Sequence, residues 1–242
     1  MRREYHQWFS PRLGRSMELL VFGHAGARTL VFPTRMGRFY DYENWRLLDW
    51  AREHVDRGWL QLYCLDSVDA ESLYNASVSP VERIRRHNAY EGYILEEVLP
   101  LTRSLNPNPA LLAHGCSIGA YHAVNLAFRH PHLFQKVVAF SGRYDLTTPM
   151  GWFPDLFGGF YNQDIYFHTP SHFIPNLADS CRLEALRRME IILAVGEDDA
   201  FRWDNQRLSQ ALWDKGVWHA LHVLPGEAHS PHHWRRWIRD YL

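Results

Sequence analysis

Lysine is almost missing from this sequence. Of its 26 basic residues only Lys136 and Lys215 are lysine, and the rest are arginine. The 27 acidic residues balance them and leave a formal net charge of −1 with histidine neutral. A chain that neutralises nucleic-acid phosphates shows a basic excess, so no nucleic-acid partner is expected. Cysteine is scarce as well. Cys64, Cys116 and Cys181 are odd in number and scattered, with neither metal-ligand nor disulfide spacing, which points to a reducing compartment. No apolar run approaches the roughly 20 residues that a membrane-spanning helix needs. The opening stretch MRREYHQWFSPRLG has no apolar core of the kind a secretory leader carries. The expectation is a cytoplasmic protein without a membrane or nucleic-acid partner. Nothing in the sequence sets its oligomeric state.

What is present is ordinary for a packed protein. Apolar residues make up 46% and charged residues 22% of the 242 positions. That length suits one large domain over 1–242. Met1–Arg15 reads as an irregular arm. Met17–Phe22 and Thr29–Phe32 read as an antiparallel strand pair at a sheet edge. Pro33 and Gly37 punctuate a loop, Trp45–His54 has helical spacing, and Trp59–Leu65 is a strand. Pro80 opens a long helix that Pro100 and the Asn106-Pro107-Asn108-Pro109 run should break. Lys136–Phe140, Glu190–Val195 and His219–Leu224 read as further strands. Asp204–Lys215 and Pro231–Tyr241 read as helices, with Asp204 or Asn205 near the first N-cap. Strands alternating with helices predict an α/β fold, with a mostly parallel sheet and helices on both faces. In such sheets the active site lies at the carboxyl ends of the strands.

One stretch carries the most chemistry. Ala110–Ala113 is a short buried strand, Gly115-Cys116-Ser117-Ile118-Gly119 a tight turn, and Ala120, Ala123, Val124 and Ala127 recur at helical spacing. Strand, Gly-x-Ser-x-Gly and helix together describe a nucleophile elbow. The turn leaves no room for side chains at its glycines and holds the Ser117 hydroxyl outward. The Ile118 amide, at a helix N-terminus, is free to donate to an oxyanion.

A serine hydroxyl needs a base, and the base needs an acid to fix its tautomer. Among fifteen histidines, His229 is chosen because it follows the last strand in Pro225-Gly226-Glu227-Ala228-His229. His229-x-x-His232-His233 lacks a carboxylate partner, so no metal site is expected. The acid should follow the penultimate strand, within Gly196-Glu197-Asp198-Asp199. Asp199 fits best, Asp198 is next, and Asp145 after the preceding strand is a third choice. The second oxyanion amide should come from the loop after Thr29–Phe32, at Arg35 or Met36.

Those positions together resemble the α/β-hydrolase superfamily, in its branch of esterase D-type enzymes, feruloyl esterases and mycolyltransferase-like acyltransferases. The resemblance rests on Gly115–Gly119, on Val195–Asp199 and on Pro225–His229, with Trp234 and Trp237 following. It implies Ser117 as nucleophile, His229 as base, Asp199 as acid, a covalent acyl-enzyme and no cofactor. The chain departs from the branch at Cys116, where many relatives carry His or another polar residue, and at Pro33-Thr34, where the oxyanion loop would begin His-Gly.

The expected activity is therefore that of a serine carboxylesterase acting on a small-molecule ester. Two alternatives stay open: an acyltransferase on the same triad, and a non-catalytic hydrolase fold used for binding. Peptidase or thioesterase chemistry is a smaller possibility. An aromatic-rich insertion follows the strand at 136–140, and its span 150–177 is a candidate cap. Trp152, Phe153, Phe157 and Tyr161 are its candidate pocket residues, which would favour an apolar acyl chain of small to medium size over a charged substrate. Equally, those rings could simply pack the insertion onto the domain.

Overall fold

A computed structural model describes residues Met1–Leu242. Eight strands form a single sheet: β1 (Arg3–Ser10), β2 (Arg15–Phe22), β3 (Ala27–Phe32), β4 (Leu60–Leu65), β5 (Leu111–Cys116), β6 (Lys136–Phe140), β7 (Glu190–Gly196) and β8 (Ala220–Leu224). Their order is β1-β2-β4-β3-β5-β6-β7-β8. From β4 onward every pairing is parallel, while β1–β2 and β2–β4 are antiparallel. β5 and β7 are LLAHGC and EIILAVG, near-continuous runs buried along almost their whole length. That is the composition of a parallel strand covered on both faces.

The helices are α1 (Asp41–Asn44), α2 (Leu48–Asp56), α3 (Pro80–Tyr93), α4 (Leu99–Leu105), α5 (Ile118–Arg129), α6 (Gln163–Phe167), α7 (Pro170–Phe173), α8 (Ser180–Arg188), α9 (Arg202–Asp214) and α10 (Pro231–Tyr241). The period of two along each strand divides the core. Leu30, Phe32, Ala113, Val137 and Ala139 face one layer, with Tyr90, Val124 and Leu208 of α3, α5 and α9. Val31, Leu112, Val138 and Phe140 face the other, with Ala51 of α2 and Trp234, Trp237 and Ile238 of α10. No helix is long and apolar enough to cross a membrane.

Four local expectations are corrected. The N-terminal segment is not an irregular arm: β1 pairs with β2 from Arg3↔Phe22 to Ser10↔Arg15. Its side chains alternate between exposed and half-buried, as at a sheet edge, so no apolar pattern marks it. The turn does carry a signal, since Gly14 closes it at φ 63° with its amide on the Ser10 carbonyl. Second, β2 and β3 are not partners, because β4 lies between them. The connection crosses the start of β4 so closely that a Cβ on Gly26 would lie 2.2 Å from the Trp59 carbonyl carbon. Third, Pro100 does not end the long helix, which continues to Leu105 through a π-helical turn at Ile94–Val98. That wider turn accommodates a proline that has no N–H to bond. Fourth, α9 begins at Arg202, and Asp204 is not its cap. Asp204 turns inward and accepts from the amides of Tyr144 and Asp145 and the hydroxyl of Ser171.

Candidate active site

β5 ends at Cys116 and α5 begins at Ile118, so Ser117 makes the whole turn by itself. Its backbone sits at φ 57°, ψ −124°, a conformation that costs a non-glycine residue of order 1–3 kcal/mol. The surroundings hold it there. The Ser117 amide donates to the Phe140 carbonyl at 2.8 Å, tying the turn to the end of β6. A Cβ on Gly115 would stand 2.3 Å from the Gly119 carbonyl, and one on Gly119 would stand 2.5 Å from the Phe32 carbonyl. Both glycines are therefore required by contact, and the second brings the end of β3 directly against the turn.

His229 reaches Ser117 from the other end of the chain. Its Nε2 accepts from the Ser117 hydroxyl at 3.0 Å, and its Nδ1–H donates to Asp199 Oδ2 at 2.9 Å. The Asp199 carboxylate is buried, and its second oxygen accepts the Phe201 amide at 2.9 Å. Neither other carboxylate considered from sequence touches His229. Asp198 is exposed, with its amide on the Gly226 carbonyl. Asp145 is buried, but its oxygens accept from Thr147, Thr148, Arg207 and His172.

Several supporting residues gave no clear sequence signal. Gly196 closes β7 where a Cβ would lie 2.1 Å from the Glu227 carbonyl oxygen, so the histidine loop lies flat on the acid turn. Ala228 then bends at φ 53° to aim His229 at the sheet edge. The imidazole is wedged between Phe201 and Trp234, each 5.4 Å away and nearly edge-on. Trp234 is fixed in turn by a 3.2 Å bond from its indole N–H to the Ser141 hydroxyl. The Trp after the terminal histidine was visible in the sequence, but its place against the ring was not.

The amides of Ile118, Arg35 and Met36 donate to no protein acceptor. Met36 has φ 54°, in a turn closed by the Gly37 amide on the Thr34 carbonyl at 2.8 Å. Gly119 also packs beneath the carbonyls of Phe32 and Pro33. The loop that begins at Pro33 thus starts directly above the elbow.

The four insertion rings have different environments. Phe153 packs 4.5 Å from Phe201 at a tilt and lies 6.3 Å from the His229 ring. Phe157 is buried in a cluster with Leu73, Ile84, Ile118, Tyr121 and Leu146. Tyr161 is half exposed and hydrogen-bonds to His172. Trp152 projects into solvent, 95% exposed. Only Phe153 therefore stands beside the histidine. Elsewhere, Cys116 packs in the core layer of α2 and α10, away from Ser117, and burial pushes its thiol pKa up. His114 is also sealed; burial lowers its pKa to about 4, against the opposing pull of an Nδ1–H bond to the Val138 carbonyl.

A sheet with this strand order and an elbow at the end of its fifth strand defines an α/β-hydrolase. A sequence model of the "Putative esterase" family matches residues 64–241. The chain belongs to that family and is a carboxylic ester hydrolase. Solved structures of similar fold include a ferulic acid esterase, at TM-score 0.79 and 17% identity over 100% of this chain and 96% of the other. The Staphylococcus aureus fluorophosphonate-binding serine hydrolase FphF is similar at TM-score 0.75 and 17% identity, covering 99% and 96%. An S-formylglutathione hydrolase from Agrobacterium tumefaciens is similar at TM-score 0.74 and 14% identity, covering 99% and 92%. No curated protein matches the chain by sequence.

Proposed function

We propose that the chain is a serine esterase that works through an acyl-enzyme on Ser117. The observation that carries this is the unbroken hydrogen-bond line Asp199–His229–Ser117, at 2.9 and 3.0 Å, at the carboxyl ends of β7, β8 and β5. Asp199 fixes the tautomer in which Nδ1 holds the proton, so Nε2 is left as the base. His229 takes the hydroxyl proton as Ser117 Oγ bonds to the ester carbonyl carbon. The carbonyl electron pair moves to oxygen, where the Ile118 amide and one from Arg35 or Met36 stabilise it. As the intermediate collapses, the C–O bond to the alcohol breaks and His229 returns the proton to the departing oxygen. Water then gives a proton to His229 and bonds to the acyl carbon; the bond to Ser117 Oγ breaks as His229 returns that proton to Oγ, and the acid leaves.

The free thiols of Cys64, Cys116 and Cys181 support a reducing, cytoplasmic setting. Of the insertion rings, Phe153 is the one we assign to the substrate pocket. Phe157 serves the packing of the insertion, and Trp152 and Tyr161 have no assigned role.

The test is hydrolysis of a 4-nitrophenyl ester by Ser117→Ala. Its kcat/KM should fall by about 10⁴-fold or more at unchanged thermal stability. Turnover within tenfold of the parent would refute the assignment.

A further inference from the structure

Arg143 lies three residues beyond β6, on the sheet edge that also carries Ser117. Its side chain is only 3% exposed. Nε donates to the Asp145 carbonyl at 3.0 Å. Nη2 points at the carbonyls of Leu146, Thr148 and Pro154, at 3.5, 2.9 and 2.8 Å. No carboxylate is paired with it. The nearby acids bond elsewhere: Asp145 as described, Asp155 to the amides of Phe157 and Gly159, and Asp204 to backbone and Arg207, while Asp69 gives one oxygen to His122 and leaves Oδ2 without a partner. Nη1 has no protein acceptor and still touches solvent. Burial lowers the Arg143 pKa against the pull of the nearby Asp204, Asp145 and Asp155 charges, none of which bonds to it, so Nη1 is left to solvent or to a ligand.

The neighbours of the guanidinium locate it. Pro154, which accepts from Nη2, follows Phe153, the ring beside His229. Leu146, another of its acceptors, packs in the cluster that contains Ile118, the residue after Ser117. Tyr74 packs against that same cluster, and the Arg35 guanidinium lies 5.2 Å over its ring. The Tyr74 hydroxyl likewise has no protein partner and is not sealed from solvent. Two arginines and a phenol without a protein partner therefore meet beside the cluster that carries Ile118; burial raises the Tyr74 pKa, and Asp69 is near enough to add to that rise. An apolar acyl chain, as expected from the sequence, would leave all three unanswered.

We propose that the ester taken by this site carries a carboxylate, bound by Nη1 of Arg143 and the Tyr74 hydroxyl with Arg35 alongside. These three are specificity-determining residues. The inference rests on the serine-esterase reading. A carboxylate suits the site because each of its oxygens can accept one of the two free donors.

Two matched pairs of esters test it after subtraction of the enzyme-free rate. 4-Nitrophenyl hemiglutarate against 4-nitrophenyl pentanoate places the charge on the acyl side. 4-Acetoxybenzoate against 4-methylphenyl acetate places it on the alcohol side. We expect about a tenfold or greater preference in kcat/KM for the charged ester of one pair, carried mainly by KM and reduced in 0.5 M salt. Arg143→Met should bring that ratio close to one. Because Arg143 also ties down the insertion, Tyr74→Phe and Arg35→Gln are read in parallel. Each should lower the ratio about threefold or more. Ser117-dependent hydrolysis of the neutral esters with no charge preference in either pair overturns this inference alone. So does a preference that neither parallel variant changes. Failure to hydrolyse any of the four esters overturns the functional reading and this inference with it.

Discussion

Gly196→Ala is a one-carbon change far from Ser117 in sequence and decisive for its activation in space. The added Cβ would lie 2.1 Å from the Glu227 carbonyl oxygen and 2.6 Å from its carbonyl carbon. Carbon atoms do not approach an oxygen nearer than about 3.0 Å without repulsion, so the strand end and the histidine loop must separate by about 0.9 Å. β7 is hydrogen-bonded on both sides, to β6 and β8, and buried along nearly its whole length. The loop at Gly226–Ala228 is the part that yields. His229 is two residues from Glu227, so a shift of this size stretches its bonds of 2.9 and 3.0 Å beyond hydrogen-bond length. Misplacing a catalytic group by about 1 Å costs on the order of 10²-fold in rate. We therefore expect Gly196→Ala to lose about 10²-fold or more in kcat, with KM little changed, in 4-nitrophenyl ester hydrolysis. Circular dichroism and a melting curve in parallel confirm that the sheet is retained. A folded Gly196→Ala protein with parental kcat would refute the claim that contact at Gly196 sets the histidine's position.

Asp199→Asn should reduce kcat by about 10⁴-fold, because an amide cannot hold the imidazole in the same tautomer. Asp198→Asn, on an exposed side chain, should change kcat less than about twofold, and steady-state kinetics on both variants check the pair. Acid should destabilise the fold through His114, His87 and His168, all kept neutral by burial. An unfolded histidine protonates near 6.5, so below that pH the unfolded chain binds more protons and stability falls as pH drops. For His114 the loss reaches about 3 kcal/mol by pH 4 and then levels off. Urea midpoints between pH 7 and pH 4 measure it, and a flat profile would contradict the burial argument.

How much of this was legible in the sequence depends on how local each signal is. Ser117 announces itself because the elbow's constraints fall within five residues, with Gly115 and Gly119 required by contacts inside or directly beneath the turn. His229 and Asp199 could be chosen because each follows a strand, and chain order along a parallel sheet fixes which strand ends are near. β1 was missed because an edge strand has only one weakly buried face, so REYHQWFS lacks an apolar pattern. The placement of β4 between β2 and β3 was missed because strand order is set by long-range pairing, to which hydrophobic periodicity is blind. The insertion's rings could not be sorted from sequence. Phe153 beside His229, buried Phe157 and solvent-facing Trp152 have the same chemistry and differ only in where the backbone carries them. Arg143 shows the converse, because an arginine in a loop reads as a surface residue until its buried side chain and free Nη1 are seen.

The central claim is that Ser117 becomes covalently attached to the substrate's acyl group. Intact-protein mass spectrometry with a fluorophosphonate probe, followed by peptide mapping, tests it most directly. One adduct per chain is expected, on the peptide that contains Ser117, and none on Ser117→Ala. An unlabelled parent protein, or an adduct carried by Cys116 or any other residue, would contradict it.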